Sequence, residues 1–325
     1  MKRKKIPAIL ALVVGLTALG GCTNSDQKVN IGNHWNVNAI DVNEAIHETL
    51  VYDVAFEAND TSLVEYQLNY KDGKYTTTLI SEKVGSKTIY TYSTQLNITA
   101  QYTLNGVTEE CNDVLTSTVK FYAAGDGLRP ISSQKEINAS TPTGITGLTA
   151  SDCYAQSHYS IQINYNDDCT EGKSIVTNLD PSMSNTPAKE KTFEIDEKKF
   201  RFLDNEQVLL VLRAVNNSTS SAKLNVYSPF AEAIQKVSLS FQTEESAEFS
   251  FYKNGSEEKV KSIITYRPVN FVLDEKNPGG TQTAWVAKAT DASKNTNRNI
   301  ILRLETPLSY GLGSLIYTLN SATYQ

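Results

Sequence analysis

The four cysteines are the residues of this sequence whose side chains have the most distinctive chemistry. Cys22 stands alone near the amino terminus, and the other three are Cys111, Cys153 and Cys169. A thiol can be acylated, can hold a metal ion as the thiolate, or can pair in a disulfide. The residues around each cysteine indicate which of these applies.

The three later cysteines permit three single pairings and leave one thiol over. Cys153 and Cys169 flank a segment whose middle has the pattern of a strand, and closing that loop would stabilise the fold by about 3 kcal/mol. We therefore predict a Cys153–Cys169 disulfide with Cys111 free, the alternative being that all three thiols are reduced. The sequence contains no Cys-x-x-Cys pair and its three histidines are scattered, so no metal site is predicted.

The residues before Cys22 have the three regions of an export signal. Basic residues at 2–5 precede an apolar run from Ile6 to Leu19, which is too short to span a membrane as a helix of about 20 apolar residues. The run ends in Leu19-Gly20-Gly21-Cys22, and this spacing resembles the lipobox of bacterial lipoproteins.

The lipobox resemblance implies acylation of the Cys22 sulfur and cleavage before Cys22. The mature chain would then be anchored by lipid, palmitate among its acyl chains, on the outer face of the cell membrane. In a two-membrane cell it would face the periplasm. Two or three acyl chains make such an attachment durable. The alternative is an ordinary secretory signal that happens to contain a cysteine.

The charge of the chain excludes one class of partner. The full sequence has a formal net charge of −6, and removal of residues 1–21 takes away four basic residues and no acidic ones. A domain this acidic has no broad electrostatic attraction to nucleic acid or to anionic headgroups. The expected contact with the membrane is the lipid anchor, and no nucleic acid is expected to bind.

Motifs of known catalytic chemistry are absent from the sequence. It has no nucleophile elbow, phosphate loop or dinucleotide fingerprint, and His47-Glu48 lacks the second histidine of a zinc-protease helix. Asn166-Asp167-Asp168 offers oxygen ligands, but its spacing favours a plain acidic turn over a calcium loop. His158 is interpreted as a surface or hydrogen-bonded residue. We therefore predict no catalytic, cofactor-binding or metal-binding residues, and a protein that is not an enzyme.

Alternating apolar and polar residues predict successive strands from Leu50 to the carboxyl terminus. Asp72-Gly73, Asn105-Gly106 and Asn254-Gly255 separate alternating segments and each predicts a hairpin turn. Short turns between such strands indicate an antiparallel meander. Tyrosines recur on neighbouring strands, and we favour the core over a sugar- or peptide-stacking face for the six at positions 66, 70, 75, 90, 92 and 102.

One segment breaks the strand rhythm. Asp204 can cap a helix, Gln207 completes a capping-box pattern, and a dense apolar run follows from Val208 to Val215. We predict a buried helix near 204–215 that covers the inner face of the sheet, with Leu209 and Leu212 both facing it. A fully buried strand is the alternative.

Several pieces of the chain resemble a family of uncharacterised bacterial envelope proteins. They are Phe202–Ala214 with Asn225–Pro229, Thr283–Lys288 with Ile300–Glu305, and Gly127–Pro130. The sequence departs from that family after Glu248. The resemblance implies a curved antiparallel meander, a half-open barrel similar to periplasmic lipid and lipoprotein carriers. The predicted fold class is therefore mainly β: such a meander with one buried helix near 204–215.

The predicted organisation has three parts: a signal peptide at 1–21, a polar tether at 22–45 and a β-rich domain at 46–325, with a candidate division into halves near 181–190. The leading functional hypothesis is a non-catalytic, membrane-anchored lipoprotein of the cell envelope that binds an apolar or amphipathic ligand in its curved sheet. The alternative is a structural or protein-interaction lipoprotein without a ligand cavity. A cell-wall hydrolase is the third hypothesis.

Overall fold

The structure, a computed structural model, describes residues 31, 46–59, 64–124, 127–144, 148–181, 186–213, 220–273, 280–288 and 299–324. The predicted signal peptide, Cys22 and nearly all of the predicted tether lie outside these residues, as do 182–185 at the candidate division. Ile31, the one described residue of the tether, is 2% exposed and belongs to the hydrophobic core of the domain.

Three consecutive strands near the start of the described chain are long, with 18 residues each. In chain order they are β1 (His47–Ala58), β2 (Gln67–Val84), β3 (Lys87–Leu104), β4 (Val107–Ala124), β5 (Gly127–Pro142), β6 (Tyr154–Tyr165), β7 (Glu171–Asn178), β8 (Lys189–Glu194), β9 (Arg201–Leu203), β10 (Ser221–Ser228), β11 (Ala233–Phe241), β12 (Glu245–Lys253), β13 (Val260–Leu273), β14 (Gln282–Ala287), β15 (Ile301–Pro307) and β16 (Gly313–Tyr324).

All of these strands belong to one hydrogen-bonded sheet. Its order is β8-β7-β6-β5-β4-β3-β2-β1-β16-β15-β14-β13-β11-β10-β9, and β12 pairs with both β13 and β16. The last pairing closes β12 to β16 into a five-stranded barrel. The described pairings are antiparallel except β9 with β10 and β12 with β16. The predicted fold class, a mainly β, curved antiparallel meander of half-open barrel type, is confirmed.

Strand alternation explains where the core lies. Each strand directs every second side chain to the inner face, and this face curves around one large hydrophobic cluster that draws on β1–β4 and β10–β16. Four of the six recurrent tyrosines are at most 5% exposed, and Tyr70 and Tyr75 pack against the same cluster. The prediction that these tyrosines belong to the core is confirmed.

Two of the three predicted turns are confirmed, and one is wrong. Asn105-Gly106 joins β3 to β4 with φ of 53° and 79°, and Asn254-Gly255 begins the connection from β12 to β13. Asp72-Gly73 instead lies inside β2, where the pairing with β3 shifts register between Lys71 and Lys74. Asp72 adopts φ of 55°, as a bulge requires, and Gly73 faces Val54 so closely that a Cβ would lie 2.5 Å from the Val54 carbonyl oxygen.

The helix predicted near 204–215 is confirmed in type and is shorter than predicted. A 3₁₀ turn at Asn205–Gln207 leads into α1 (Val208–Leu212), and residues 214–219 lie outside the described part. The Asp204 carboxylate accepts the Glu206 N–H at 2.9 Å, and the Gln207 side chain accepts the Asp204 N–H at 2.9 Å. This capping box starts the helix as the sequence predicts. None of the helices in the described ranges is long and apolar enough to cross a membrane.

Candidate functional site

The short helix α1 lies over the part of the concave face that is formed by β1–β3, β15 and β16. Leu209 and Arg213 line a cavity of about 10 Å³ under the helix, and the sheet side is lined by Leu50, Tyr52, Tyr75, Thr77, Tyr92, Ile301, Leu304 and Tyr317. A cavity of this volume holds about one water molecule. Tyr75 packs edge-on against Tyr317 at 5.4 Å and lies 5.8 Å from Tyr52, so aromatic rings fill the space beside it.

A buried ion pair joins the end of α1 to the sheet. The Arg213 guanidinium donates to both carboxylate oxygens of Glu48 on β1, at 2.6 and 2.9 Å, and both side chains are 3% exposed. Burial alone lowers the pKa of Arg213, but Glu48 more than offsets this and the net direction is upward. Burial also raises the pKa of neighbouring Tyr92 to about 12. At neutral pH Arg213 is therefore charged and Tyr92 is un-ionised.

A second space opens between β5, β6 and the start of the helical segment. This cleft has a volume of about 50 Å³. Its apolar wall consists of Ile137 on β5, Ile161 and Ile163 on β6, and Phe230 and Leu273 on the opposite side. The three isoleucines are 1%, 6% and 3% exposed, whereas Phe230 is 39% exposed at the rim and packs edge-on against Tyr159 at 5.9 Å.

The other end of the cleft is polar. Ser133, Lys135 and Ile137 are at every second position of β5, so their side chains lie on the same face of the strand. Asp204 and Glu206 approach this face from the helical segment. One Asp204 oxygen accepts the hydroxyls of Ser133 at 2.5 Å and Tyr165 at 2.6 Å. Lys135 Nζ lies 3.0 Å from Glu206 Oε1.

Both carboxyl groups of the cleft, Asp204 and Glu206, make contacts that stabilise the fold. Burial raises the pKa of Asp204, with Glu206 adding to the rise and the two hydroxyl donors opposing it. Burial also disfavours the charged form of Glu206, but Lys135 outweighs this and the net pKa is lowered. Asp204 caps the helical segment and Glu206 is held by an ammonium, so neither is poised as a free acid or base for hydrolysis. Among the described residues no group of three or more His, Cys, Asp or Glu could hold a metal ion.

A separate carboxyl group is buried on the inner face of β4. Asp113 is 4% exposed and accepts the Ser140 N–H at 2.7 Å and the Ser140 hydroxyl at 2.9 Å, and Tyr102 in turn donates to the Ser140 hydroxyl oxygen at 3.0 Å. Burial raises the pKa of Asp113 to about 6, against the hydrogen bonds that lower it.

This raised pKa predicts a specific pH dependence. A carboxyl whose pKa is higher in the folded state contributes stability that is complete below the unfolded pKa and is lost as pH rises through the folded pKa. Between about pH 3 and pH 8 we expect wild type to lose about 3 kcal/mol of unfolding free energy relative to Asp113→Asn. Urea unfolding of both proteins across this range measures the difference, and parallel pH profiles would contradict the assignment.

The predicted Cys153–Cys169 disulfide is wrong in this structure. No disulfide joins any two of the three described cysteines, Cys111, Cys153 and Cys169. Cys153 precedes β6 and Cys169 follows it, and a strand of 12 residues spans about 40 Å, far beyond the roughly 7 Å that a disulfide allows between Cα atoms. The two thiols consequently lie in different hydrophobic clusters. The prediction treated the segment as a loop to be closed, although its strand pattern implies separated ends.

Lipid attachment at Cys22 stays a prediction, because Cys22 lies outside the described residues.

Two other residues singled out in the sequence have simple structural roles. His158 is on β6, with Nε2 3.2 Å from a carboxylate oxygen of Glu136, in keeping with a hydrogen-bonded residue. Asn166 accepts the N–H groups of Thr170 and Glu171, and the segment is the plain turn that the sequence favours.

The Glu48–Arg213 pair, the Asp113–Ser140 contact and the cleft are polar features of the interior that are not predicted from the sequence. Glu48 follows the same alternation as Leu50 and Tyr52 on β1, so its inward direction could have been read from the sequence. Its partner Arg213 directly follows the apolar residues of α1. A cation buried at such a position requires a negatively charged partner. The cleft could not have been found in this way, because Asp204 meets Ser133 on β5 and Tyr165 on β6, which precede it by 71 and 39 positions.

The comparisons with known proteins are sparse. No protein-family model matches the chain, and no curated protein matches it. The chain is similar in structure to a β-barrel-like protein, the domain of unknown function DUF1849 from Brucella abortus, with a TM-score of 0.45 and 11% sequence identity. The alignment covers 86% of this chain and 98% of that one. At this level of similarity the comparison carries no argument about function, and the resemblance to a family of envelope proteins stays a prediction.

Proposed function

We propose that this protein is a non-catalytic, lipid-anchored protein of the cell envelope that docks a partner protein. The anchor is supported by the basic, apolar and Leu-Gly-Gly-Cys22 regions at the amino terminus. Acylated Cys22 holds the domain on the outer face of the membrane, or facing the periplasm in a two-membrane cell.

The observation that favours partner docking over an enclosed ligand is the space left under α1. Binding sites for small molecules have volumes of about 300–1,000 Å³, whereas the cavity between α1 and the sheet has about 10 Å³. Tyrosine rings and the Glu48–Arg213 pair fill the rest of that region. A lipid has no room there unless α1 leaves the sheet.

The amphipathic cleft favours a second candidate, which is binding of a small amphipathic molecule. Its apolar wall and polar end are the features that such a ligand would recognise. Its volume of about 50 Å³ limits the enclosed part of any ligand to a few heavy atoms. We therefore rank this function below partner docking.

The anchor is tested by Cys22→Ser. We expect the variant to be exported and to enter the aqueous phase of a detergent phase separation, because its acyl chains are lost, whereas wild type enters the detergent phase. Cys111→Ser, which changes a thiol inside the domain, should partition as wild type does. Retention of the Cys22 variant on membranes after a salt wash would show that Cys22 is not the attachment point.

Partner docking is tested by photo-crosslinking in intact cells of the source organism. A benzophenone amino acid is placed at one of three exposed apolar positions, Phe230, Leu148 or Ile263, which are 39%, 91% and 79% exposed. We expect an adduct of constant mass from the Phe230 position that disappears when excess purified Cys22→Ser protein competes. Absence of a competed adduct from every position would contradict partner docking.

A further inference from the structure

The cleft between β5, β6 and the Asp204–Glu206 segment has the dimensions of a pocket for one side chain. Its volume of about 50 Å³ is too small for an acyl chain and suits a short branched aliphatic group. Such pockets in protein interfaces take an anchor residue while the rest of the partner lies on the surrounding surface. The inference that follows rests on the proposed function of partner docking.

The inner wall of the cleft selects an apolar group. The wall consists of the aliphatic side chains of Ile137, Ile161 and Ile163, which are nearly buried. A methyl group of a partner that enters the cleft would contact these side chains and would displace no hydrogen bond. Phe230 stands at the rim, where its partly exposed ring can cover whatever enters. An anchor of valine or leucine size fits this wall.

The polar end of the cleft contains two carboxyl groups, Asp204 and Glu206, and one ammonium, Lys135. The Asp204 carboxylate is stabilised by three donors, which are the Ser133 and Tyr165 hydroxyls and the Glu206 N–H. Glu206 adds a second negative charge, and Lys135 is the ammonium paired with it. Two carboxyl groups therefore face one ammonium at this end, and Glu206 and Lys135 remain partly accessible at 14% and 23%.

We propose that this cleft recognises an extended segment of a partner protein, with an aliphatic side chain in the pocket and a basic side chain two residues away at the polar end. Residues i and i+2 of an extended segment point to the same side, so one segment can supply both groups. The acidic net charge of the whole chain favours approach of such a basic partner.

The test uses the full chain, labelled at isoleucine methyl groups, and a synthetic peptide. Acetyl-Ser-Leu-Ser-Lys-Ser-Gly-amide is titrated, and the methyl signals of Ile137, Ile161 and Ile163 are followed by NMR. We expect these three to shift in a saturable manner, while the buried Ile264 and Ile316 on β13 and β16 do not. Peptides with Leu replaced by Ser or Lys replaced by Glu should each bind at least about tenfold more weakly, which corresponds to about 1.4 kcal/mol.

Two variants of opposite sign test the charge at the polar end. Glu206→Gln should lower the affinity for the Lys-containing peptide about tenfold, because it removes an attraction to the peptide lysine. Lys135→Gln should raise that affinity, because it removes a repulsion. Equal effects of the two variants would overturn the charge assignment. Phe230→Ala changes an exposed residue at the rim of the cleft and should lower the affinity for both the Lys-containing and the Glu-containing peptide. The methyl NMR spectrum of this variant should still be that of a folded protein.

The outcomes separate this inference from the proposed function. Saturable shifts of the three isoleucines with decanoate but not with the peptide would overturn peptide recognition and favour a small amphipathic ligand. Absence of shifts with either probe would overturn the cleft as a binding site. If the crosslinked partner nevertheless forms in cells, the proposed function stands and its surface lies elsewhere.

Discussion

Replacement of Arg213 by methionine should lower the free energy of unfolding by about 3–5 kcal/mol, because it leaves the Glu48 carboxylate buried without its counter-charge. Both side chains are 3% exposed, so water cannot solvate the remaining charge in the folded state. Chemical denaturation at neutral pH measures the loss.

The double variant Glu48→Leu/Arg213→Met is the control for this prediction. Replacement of a whole buried ion pair by apolar side chains is often neutral or stabilising, so the double variant should recover most of the stability that Arg213→Met loses. The matched surface pair is Lys173–Glu190, whose side chains are 49% and 55% exposed, and Lys173→Met should cost at most about 1 kcal/mol. Similar losses in the Arg213 and Lys173 variants would contradict the account of α1 as tied to β1 by a buried charge pair.

Truncation of Leu210 should cost about 2–5 kcal/mol, since its side chain is 0% exposed in the hydrophobic core. Its neighbour Leu209 is the matched control because the same Leu→Ala change removes the same atoms. Leu209 is only partly buried and borders the small cavity, so its truncation should cost clearly less. Thermal or urea unfolding of the two variants gives the comparison.

The order of these two leucine effects tests the orientation of α1, in which Leu209 borders the sheet across the small cavity as predicted. From the sequence we predict that Leu209 and Leu212, three residues apart, both face the sheet. In the structure Leu212 is buried, Leu209 is half-buried and Leu210 is the most enclosed of the three. A larger loss for Leu209→Ala than for Leu210→Ala would mean that the helix is rotated relative to this arrangement.

Local sequence signals predicted much of the fold because they act over a few residues. The alternation of strands, the Asn105-Gly106 turn and the capping box at Asp204 each depend on neighbours within about four positions. The Asp72-Gly73 turn failed because the same residue types also suit a bulge. The choice between turn and bulge was made by β1, whose Val54 pairs with Gly73 across the sheet.

Long-range pairings were beyond the same reasoning. The closure of β12 on β16 and the meeting of Asp204 with Ser133 join residues about 70 positions apart. The alternation along a strand predicts which face of the sheet a side chain lies on, but it does not predict which distant strand pairs with that strand. The disulfide prediction failed for a related reason, since Cys153 and Cys169 are close in sequence and are held apart by the strand between them.

The central claim is that α1 and the tyrosines close the concave face, so that the protein docks a partner instead of enclosing a lipid. The most direct test is a titration of purified Cys22→Ser protein with a fluorescent long-chain fatty acid below its micelle concentration. We predict no saturable binding, and unchanged amide hydrogen exchange in α1 at Val208–Leu212. Stoichiometric binding that long-chain fatty acids displace, together with faster exchange in α1, would show that the helix opens onto a lipid site and would contradict the claim.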